Sequence, residues 1–369
     1  MSVSIPEFRA ARCVRFRYRY SECARCLDAC PHQAITLSDT GASIDANLCR
    51  NCALCVSACR TGAFATAAFK PIDMLRQAIK TERFSIACAP SGHAADAVVP
   101  CLGALDASLL AYLEKRRLPT TLLGASLCAD CAHGAKGAAQ LAANLEAVAE
   151  LRAAAAPDEW LPIEVVEVVE GAPALTAEQP RFASARRHLF RRLLGRGVDE
   201  VAAAIEQKPA AQPVPDKAIR AGAYALTEQR ELLQIVAGRK DGEPFRVAIH
   251  EALPALDISI GPGCTVCEAC FRVCPTGAIS ITENPGDWAL LFQRDRCVGC
   301  AACLEVCQPR VLDAAAAFDL SPDQPPRTLI SLAKQRCDRC DRFFVSPRPE
   351  KTCRVCSDDQ DAFTAIYGG

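Results

Sequence analysis

No stretch of about 18 apolar residues occurs in this chain, so no membrane-spanning helix is expected. The opening MSVSIPEFRAARCVRFRYRY holds no apolar h-region, so no secretory signal is expected there. There is no dinucleotide glycine fingerprint, no phosphate loop and no Ser-His-Asp arrangement. Gly261 and Gly263 precede Cys264, but two glycines do not make a phosphate loop. Net charge is scarce as well. Lys and Arg number 42 against 43 Asp and Glu, which gives no general reason to expect nucleic acid or an acidic membrane as partner. What the chain has is cysteine, 24 among 369 residues. Cys-rich chains without a signal peptide are usually metal-binding rather than disulfide-linked. The expected location is cytoplasmic, and the length fits two to four domains.

The cysteines fall in runs. Cys264, Cys267, Cys270 and Cys274 read C-x2-C-x2-C-x3-C-P, and Cys297, Cys300, Cys303 and Cys307 repeat the spacing. Tight x2 turns supply three soft thiolates to one cubic [4Fe-4S] cluster, and the fourth Cys crosses to the other cluster. The expected sets are Cys264, Cys267, Cys270 with Cys307, and Cys297, Cys300, Cys303 with Cys274. Pro275 turns the chain away after the crossing ligand. The bland alternative, a disulfide or zinc site, does not account for two interleaved runs.

The pattern occurs twice. CARCLDACPHQAI (23–35) parallels CEACFRVCPTGAI (267–279), and CRNCALCVSACRTGA (49–63) parallels CVGCAACLEVC (297–307). On these residues the chain resembles the bacterial-type two-[4Fe-4S] ferredoxins, over roughly 10–70 and 255–320. The resemblance implies small α+β units with clusters between hairpins and short helices, and one-electron transfer. The N-terminal copy departs from the pattern, because Tyr20 stands where its first ligand belongs. Cys13, seven residues upstream, is the expected replacement; the other reading is an ordinary small apolar residue. The family logic then groups Cys13, Cys23, Cys26 and Cys59, and separately Cys49, Cys52, Cys55 and Cys30. Four [4Fe-4S] clusters are thereby expected.

Residues 83–170 change character. RFSIAC, PTTLLG and IEVVEVV read as strands, with DASLLAYLEKRR and a long Ala-rich stretch as helices, which suggests an open α/β layer. Cys88, Cys101, Cys128 and Cys131 fall where such a sheet places its sites. VPCLGALDASLL and LLGASLCADCAHGAKG resemble the delta subunit of methyl-viologen-reducing hydrogenases and more loosely thioredoxin-like [2Fe-2S] proteins. The resemblance implies a [2Fe-2S] cluster, although Ser91 stands where that family has a second early Cys. The alternatives are zinc or four free thiols. His93 and His133 are candidate ligands or hydrogen-bond donors, more ordinarily surface or core groups.

Pro-rich KPAAQP and AAQPVP mark a linker. RFASARRHLFRRLLGRG reads as a basic helix, more readily a solvated face than a docking site, and AYALTEQRELLQIV as another helix. Arg9, Arg12, Arg15, Arg17 and Arg19 alternate with apolar residues, as on an edge strand with a basic face. At the C-terminus, Cys337-x2-Cys340-x12-Cys353-x2-Cys356 makes a closed tetrahedral site. Asp341 and Ser357 replace the usual rubredoxin glycines, so zinc is expected rather than iron.

The fold class expected is multidomain α+β. It comprises an N-terminal dicluster module (1–75), a four-Cys α/β domain (76–172), a linker with helices (173–245), a second dicluster module (246–325) and a zinc-ribbon-like tail (326–369). The function expected is that of a non-catalytic electron-transfer subunit with protein redox partners in an oxidoreductase complex. The alternatives are an iron–sulfur oxidoreductase with its own active site, or a cluster-carrying maturation scaffold.

Overall fold

The computed structural model describes residues 5–155, 160–166, 224–238, 245–321 and 324–358. The expected basic helix at 181–197 lies outside them.

The N-terminal unit is built on a two-fold theme. Strand β1 (Glu7–Phe8) pairs antiparallel with β4 (Phe64–Ala65), and β2 (Ile35–Ser38) pairs with β3 (Gly41–Ile44) as a hairpin. Between them lie two single-turn helices, α2 (Arg25–Ala29) and α3 (Leu54–Ala58). Ile35, Cys55, Ala63 and Phe64 form its small core. So small a core needs a further source of stability, and metal–thiolate bonds are the usual one.

The arginine alternation does not make an edge strand. The strand is confined to Glu7–Phe8; Ala10–Arg12 is a 3-10 turn and Val14–Arg17 a short helix, α1. The coiled segment carries Cys13 to the cavity lined by Cys23 and Cys59, and the arginines fold back on the protein. Arg15 Nε donates to the Cys23 carbonyl (2.7 Å), and Arg12 and Arg17 lie over the Tyr224 ring.

A four-stranded sheet follows, in the order β6 (Ala97–Val99), β5 (Phe84–Cys88), β7 (Thr120–Leu123), β8 (Glu164–Val166), with every pairing parallel. The central strand β5 is buried along most of its length, as expected for a parallel strand covered on both faces. Helix α4 (Pro71–Ala78) precedes the sheet, with Pro71 at its first turn. Helix α5 (Ala107–Lys115) is capped by Asp106, whose carboxylate accepts from the Leu109 N–H at 3.1 Å. Its Leu109, Leu110 and Leu113 are fully buried, each contributing about 2 kcal/mol. Helix α6 (Gly134–Ala154) is rich in Ala and buries Gly137, Leu141, Asn144, Val148 and Leu151, one stripe at helical spacing. Helix α7 (Glu228–Ala237), capped by Thr227, packs on α5 and shares the same core through Leu232, Leu233 and Val236.

The C-terminal unit repeats the first. Strand β9 (Arg246–Ala248) leads into β10 (Ile258–Ile260), which pairs with β13 (Leu312–Ala314). Strands β11 (Ile279–Glu283) and β12 (Asp287–Phe292) form the hairpin, with Ile279 opposite Phe292. Its short helices are α8 (Ala269–Val273) and α9 (Ala302–Val306). Strand β14 (Ala317–Asp319) returns to pair with β9. The hairpin is then extended by β15 (Arg327–Arg336) and β16 (Phe343–Val345), giving the order β11-β12-β15-β16. The C-terminal cysteines hang from this extension. Asp257 ties it down, accepting from Arg327 at 2.5 Å and facing Arg294 at 3.2 Å.

Candidate metal centres

Three-residue spacing brings cysteines together only if the backbone turns correctly between them. In three of the four runs, the residues on both sides of the middle Cys have positive φ. They are Asn51 and Ala53 around Cys52, Val266 and Glu268 around Cys267, and Gly299 and Ala301 around Cys300. Such alternating left-handed turns curl the chain into a concavity whose N–H groups point inward, a form suited to an anionic iron–sulfur group. Val266 is β-branched, so its φ of 54° costs about 1–3 kcal/mol. At Gly299 a side chain is excluded outright: a Cβ would lie 2.7 Å from the Ala255 carbonyl oxygen.

The remaining run lacks these turns. Ala24, between Cys23 and Cys26, has φ −126°, and Tyr20 is 68 % exposed. Cys13 instead lines one cavity together with Cys23, Cys26 and Cys59. It sits at the N-cap of α1, a position none of the other runs uses.

The second N-terminal set comprises Cys30, Cys49, Cys52 and Cys55, whose charges act on one another. In the C-terminal unit, Cys264, Cys267, Cys270 and Cys307 line one cavity, and Cys297, Cys300 and Cys303 gather around Cys274. Burial pushes the thiols upward, to about 12 at Cys26, Cys270 and Cys300 and about 11 at Cys52 and Cys297; Cys55 and Cys303 are raised as well. Grouped, buried, protonated thiols are poor nucleophiles but suitable soft ligands, which give up their protons to a metal. The donor sets therefore fit [4Fe-4S] clusters. Backbone N–H groups already point at sulfur, from Asn51 to Cys49 (3.4 Å) and from Ala63 to Cys59 (3.3 Å).

The sheet brings its own cysteines together. Cys88 ends β5, Cys101 follows β6, and Cys128 and Cys131 follow β7; all four line one cavity at the carboxyl edge of the parallel strands. Gly137 permits this, since a Cβ there would stand 2.9 Å from Cys101 Sγ. Ser91 is buried in the same cavity, its hydroxyl donating to the Cys88 carbonyl at 2.7 Å. His133 lines the cavity, whereas His93 is half-buried and does not. His133 Nδ1 lies 3.0 Å from His32 Nε2, and with Cys52 these donors fall within 4.8 Å of one another. Burial lowers His133 to about 4. Two neutral imidazoles sharing one proton satisfy each other, so the pair needs no ion.

In the C-terminal extension, the sulfurs of Cys337, Cys340, Cys353 and Cys356 all lie within 4.8 Å of one another. Cys340 and Cys353 Sγ are 3.7 Å apart, against about 3.8 Å for the edge of a tetrahedron with 2.3 Å metal–sulfur bonds. The Cys353 N–H donates to Cys337 Sγ (3.2 Å), and such N–H bonds hold that thiol well below its ordinary value.

The neighbouring sets adjoin, a feature sequence reasoning did not supply. Cys101 packs beside Cys52. The Cys55 and Cys26 charges act on each other across the N-terminal unit. Cys300 lines the cavity of Cys13, Cys23, Cys26 and Cys59, and Cys23 and Cys300 flank a small apolar cluster of Val14, Val273 and Ala302. Cys303 in turn faces Cys270. Arg60 clamps the two units. Its Nη1 donates to the Gly299 carbonyl (2.5 Å), and its Nη2 to the carbonyls of His250 (3.2 Å) and Glu251.

No curated protein matches the chain. The 4Fe-4S dicluster domain family matches at residues 21–63 and 263–311. The first segment contains Cys23, Cys26, Cys30, Cys49, Cys52, Cys55 and Cys59, with Cys13 upstream of it; the second contains all eight cysteines of its unit. The chain therefore carries two 4Fe-4S dicluster domains, and such domains imply iron–sulfur electron transfer.

Proposed function

We propose that this chain is an electron-relay subunit, holding four [4Fe-4S] clusters and passing single electrons between a redox enzyme and a second carrier. The observation that carries this reading is the adjacency of the cysteine sets across the interface of the two dicluster domains, at Cys23 and Cys300. A free carrier needs one such domain; two packed ligand to ligand form a row. Each cluster, when bound, supplies one-electron carriage. The protein holds the thiolates in place, excludes water and sets the local charge. In this reading Cys13 completes the set of Cys23, Cys26 and Cys59. Cys88, Cys101, Cys128 and Cys131 hold a further cluster, a [2Fe-2S], next to Cys52. The Cys337, Cys340, Cys353 and Cys356 site is structural zinc, since four ligands leave no open position.

The partners are protein redox partners in an oxidoreductase complex, in the cytoplasm. Among the described residues no helix is long and apolar enough to cross a membrane. Anaerobic pull-down from native cells is expected to recover a flavin-, molybdenum-, tungsten- or nickel-containing enzyme. The isolated chain should reduce dyes only with that enzyme added. Turnover of a small substrate by the isolated chain would overturn the reading.

A further inference from the structure

Arg60, Arg230 and the guanidinium of the half-buried Arg17 are buried around the set of Cys274, Cys297, Cys300 and Cys303, and no ion pair joins any of them to a carboxylate among the described residues. Arg17 has all three guanidinium nitrogens buried with no hydrogen-bond partner. It stacks over the Tyr224 ring, and its charge also faces Cys274 and Cys300. Arg60 Nη1 reaches the Gly299 carbonyl between Cys297 and Cys300, while its Nε is buried without an acceptor. Arg230 is 1 % exposed. Its Nε and Nη2 donate to the carbonyls of Asp295 (3.2 Å) and Arg294 (2.9 Å), just before Cys297, and its Nη1 has no partner. Asp295 lies nearby and its charge acts on Arg230.

Burying a cation without a counter-ion costs several kcal/mol. Three at one place call for an anion there. Among the described residues the negative charge these guanidiniums face in common is that of Cys274, Cys297 and Cys300, and Arg60 also lines the adjoining cavity of Cys13, Cys23, Cys26 and Cys59. The outer set of the same domain offers a contrast. Around Cys264, Cys267, Cys270 and Cys307 the nearby guanidiniums are at the surface: Arg272 is 61 % exposed and paired with Glu268 at 2.7 Å, and Arg310, just after Cys307, is exposed.

We propose that Arg17, Arg60 and Arg230 are positioning residues that make the Cys274–Cys297–Cys300–Cys303 set the most easily reduced [4Fe-4S] site of the chain. The electron would then rest at the junction of the two domains. The inference rests on the four-cluster reading above. Each added electron makes a thiolate-bound cluster more negative, and fixed positive charge in a poorly solvated place favours that state.

The test is a dye-mediated redox titration of the full-length protein, followed by electron paramagnetic resonance, with iron counted on each sample. The first signal to appear on reduction should vanish in Cys300→Ala and survive in Cys270→Ala. Arg17→Met should shift that signal to lower potential, and Arg17→Lys should restore most of the shift. Arg230→Met, at a separate position, should shift it in the same direction. The signal lost in Cys270→Ala should not move in any arginine variant. Full iron with an unmoved first signal in both Arg17→Met and Arg230→Met would overturn the proposal, as would survival of that signal in Cys300→Ala. An iron count in the parent well below about sixteen would instead overturn the four-cluster reading.

Discussion

The two dicluster domains share a layout but not a construction. Each pairs its outer strands, β1 with β4 and β10 with β13, and carries one hairpin and two single-turn helices. In the C-terminal domain both runs are curled by left-handed residues on either side of the middle Cys. In the N-terminal domain only the second run is. The first has lost both the turn at Ala24 and the ligand at Tyr20, and its cavity is completed by Cys13 from a different helix. What the cavity specifies is a sulfur at a place in space. A regular run is one way to deliver it, and a separate segment folded over the cavity is another.

The sharpest way to break the comparison is to remove a ligand from the regular domain. Cys303 is packed among Cys274, Cys297 and Cys300, so Cys303→Ala is expected to lose one whole cluster, about four irons, and to lower the melting temperature. Iron analysis and thermal unfolding read this directly. Removing the displaced ligand should do less. Cys13→Ala leaves Cys23, Cys26 and Cys59 in place, so it should lose about one iron and show a three-iron signal after oxidation. An unchanged spectrum would exclude Cys13 as a ligand.

A finer test returns the ligand to the run. In Cys13→Ala with Tyr20→Cys, the new thiol stands at an exposed site on a loop without the left-handed turn. The three-iron signal should persist, and full recovery of the fourth iron would show that spacing alone suffices. Smaller still is a test of equivalent turn positions. Gly299→Ala drives a Cβ against the Ala255 carbonyl and the Arg60 guanidinium, and should cost more than the about 1–3 kcal/mol of the backbone strain alone. Asn51→Gly, at the matching φ of 53°, relieves strain but loses the hydrogen bond that Asn51 Oδ1 accepts from Thr66 (3.1 Å), and should change stability by no more than about 1 kcal/mol. The smallest effect concerns what only the C-terminal domain carries, the β15–β16 extension. A mild zinc chelator should remove one metal from Cys337, Cys340, Cys353 and Cys356 and leave the visible iron–sulfur absorption unchanged.

Much of this was legible in the sequence, because ligand spacing is a local property. The runs at 264–274, 297–307 and 49–59 announce themselves, and RFSIAC, PTTLLG and the Ala-rich helix follow their propensities. One local reading failed and one short strand had no local signal. The alternating arginines at 9–19 imitate a strand, yet that segment forms a 3-10 turn and a short helix with Cys13 between them. Strand β6 is three residues long and half-exposed, so AVV carried no period to read. What the sequence could not show is long-range. Nothing near Arg60 indicates that it bonds Gly299, and nothing near Arg230 indicates that it is buried beside Cys297. The meeting of Cys23 with Cys300 depends on how two whole domains pack.

The most direct test of the account is a count of iron, acid-labile sulfide and zinc on the anaerobically purified full-length protein, read beside its electron paramagnetic resonance spectrum after full reduction. The four thiolate sets predict about sixteen irons in [4Fe-4S] form, about two more at the sheet edge, one zinc, and reduced signals broadened by neighbouring spins. About eight irons, with sharp signals that do not interact, would contradict it.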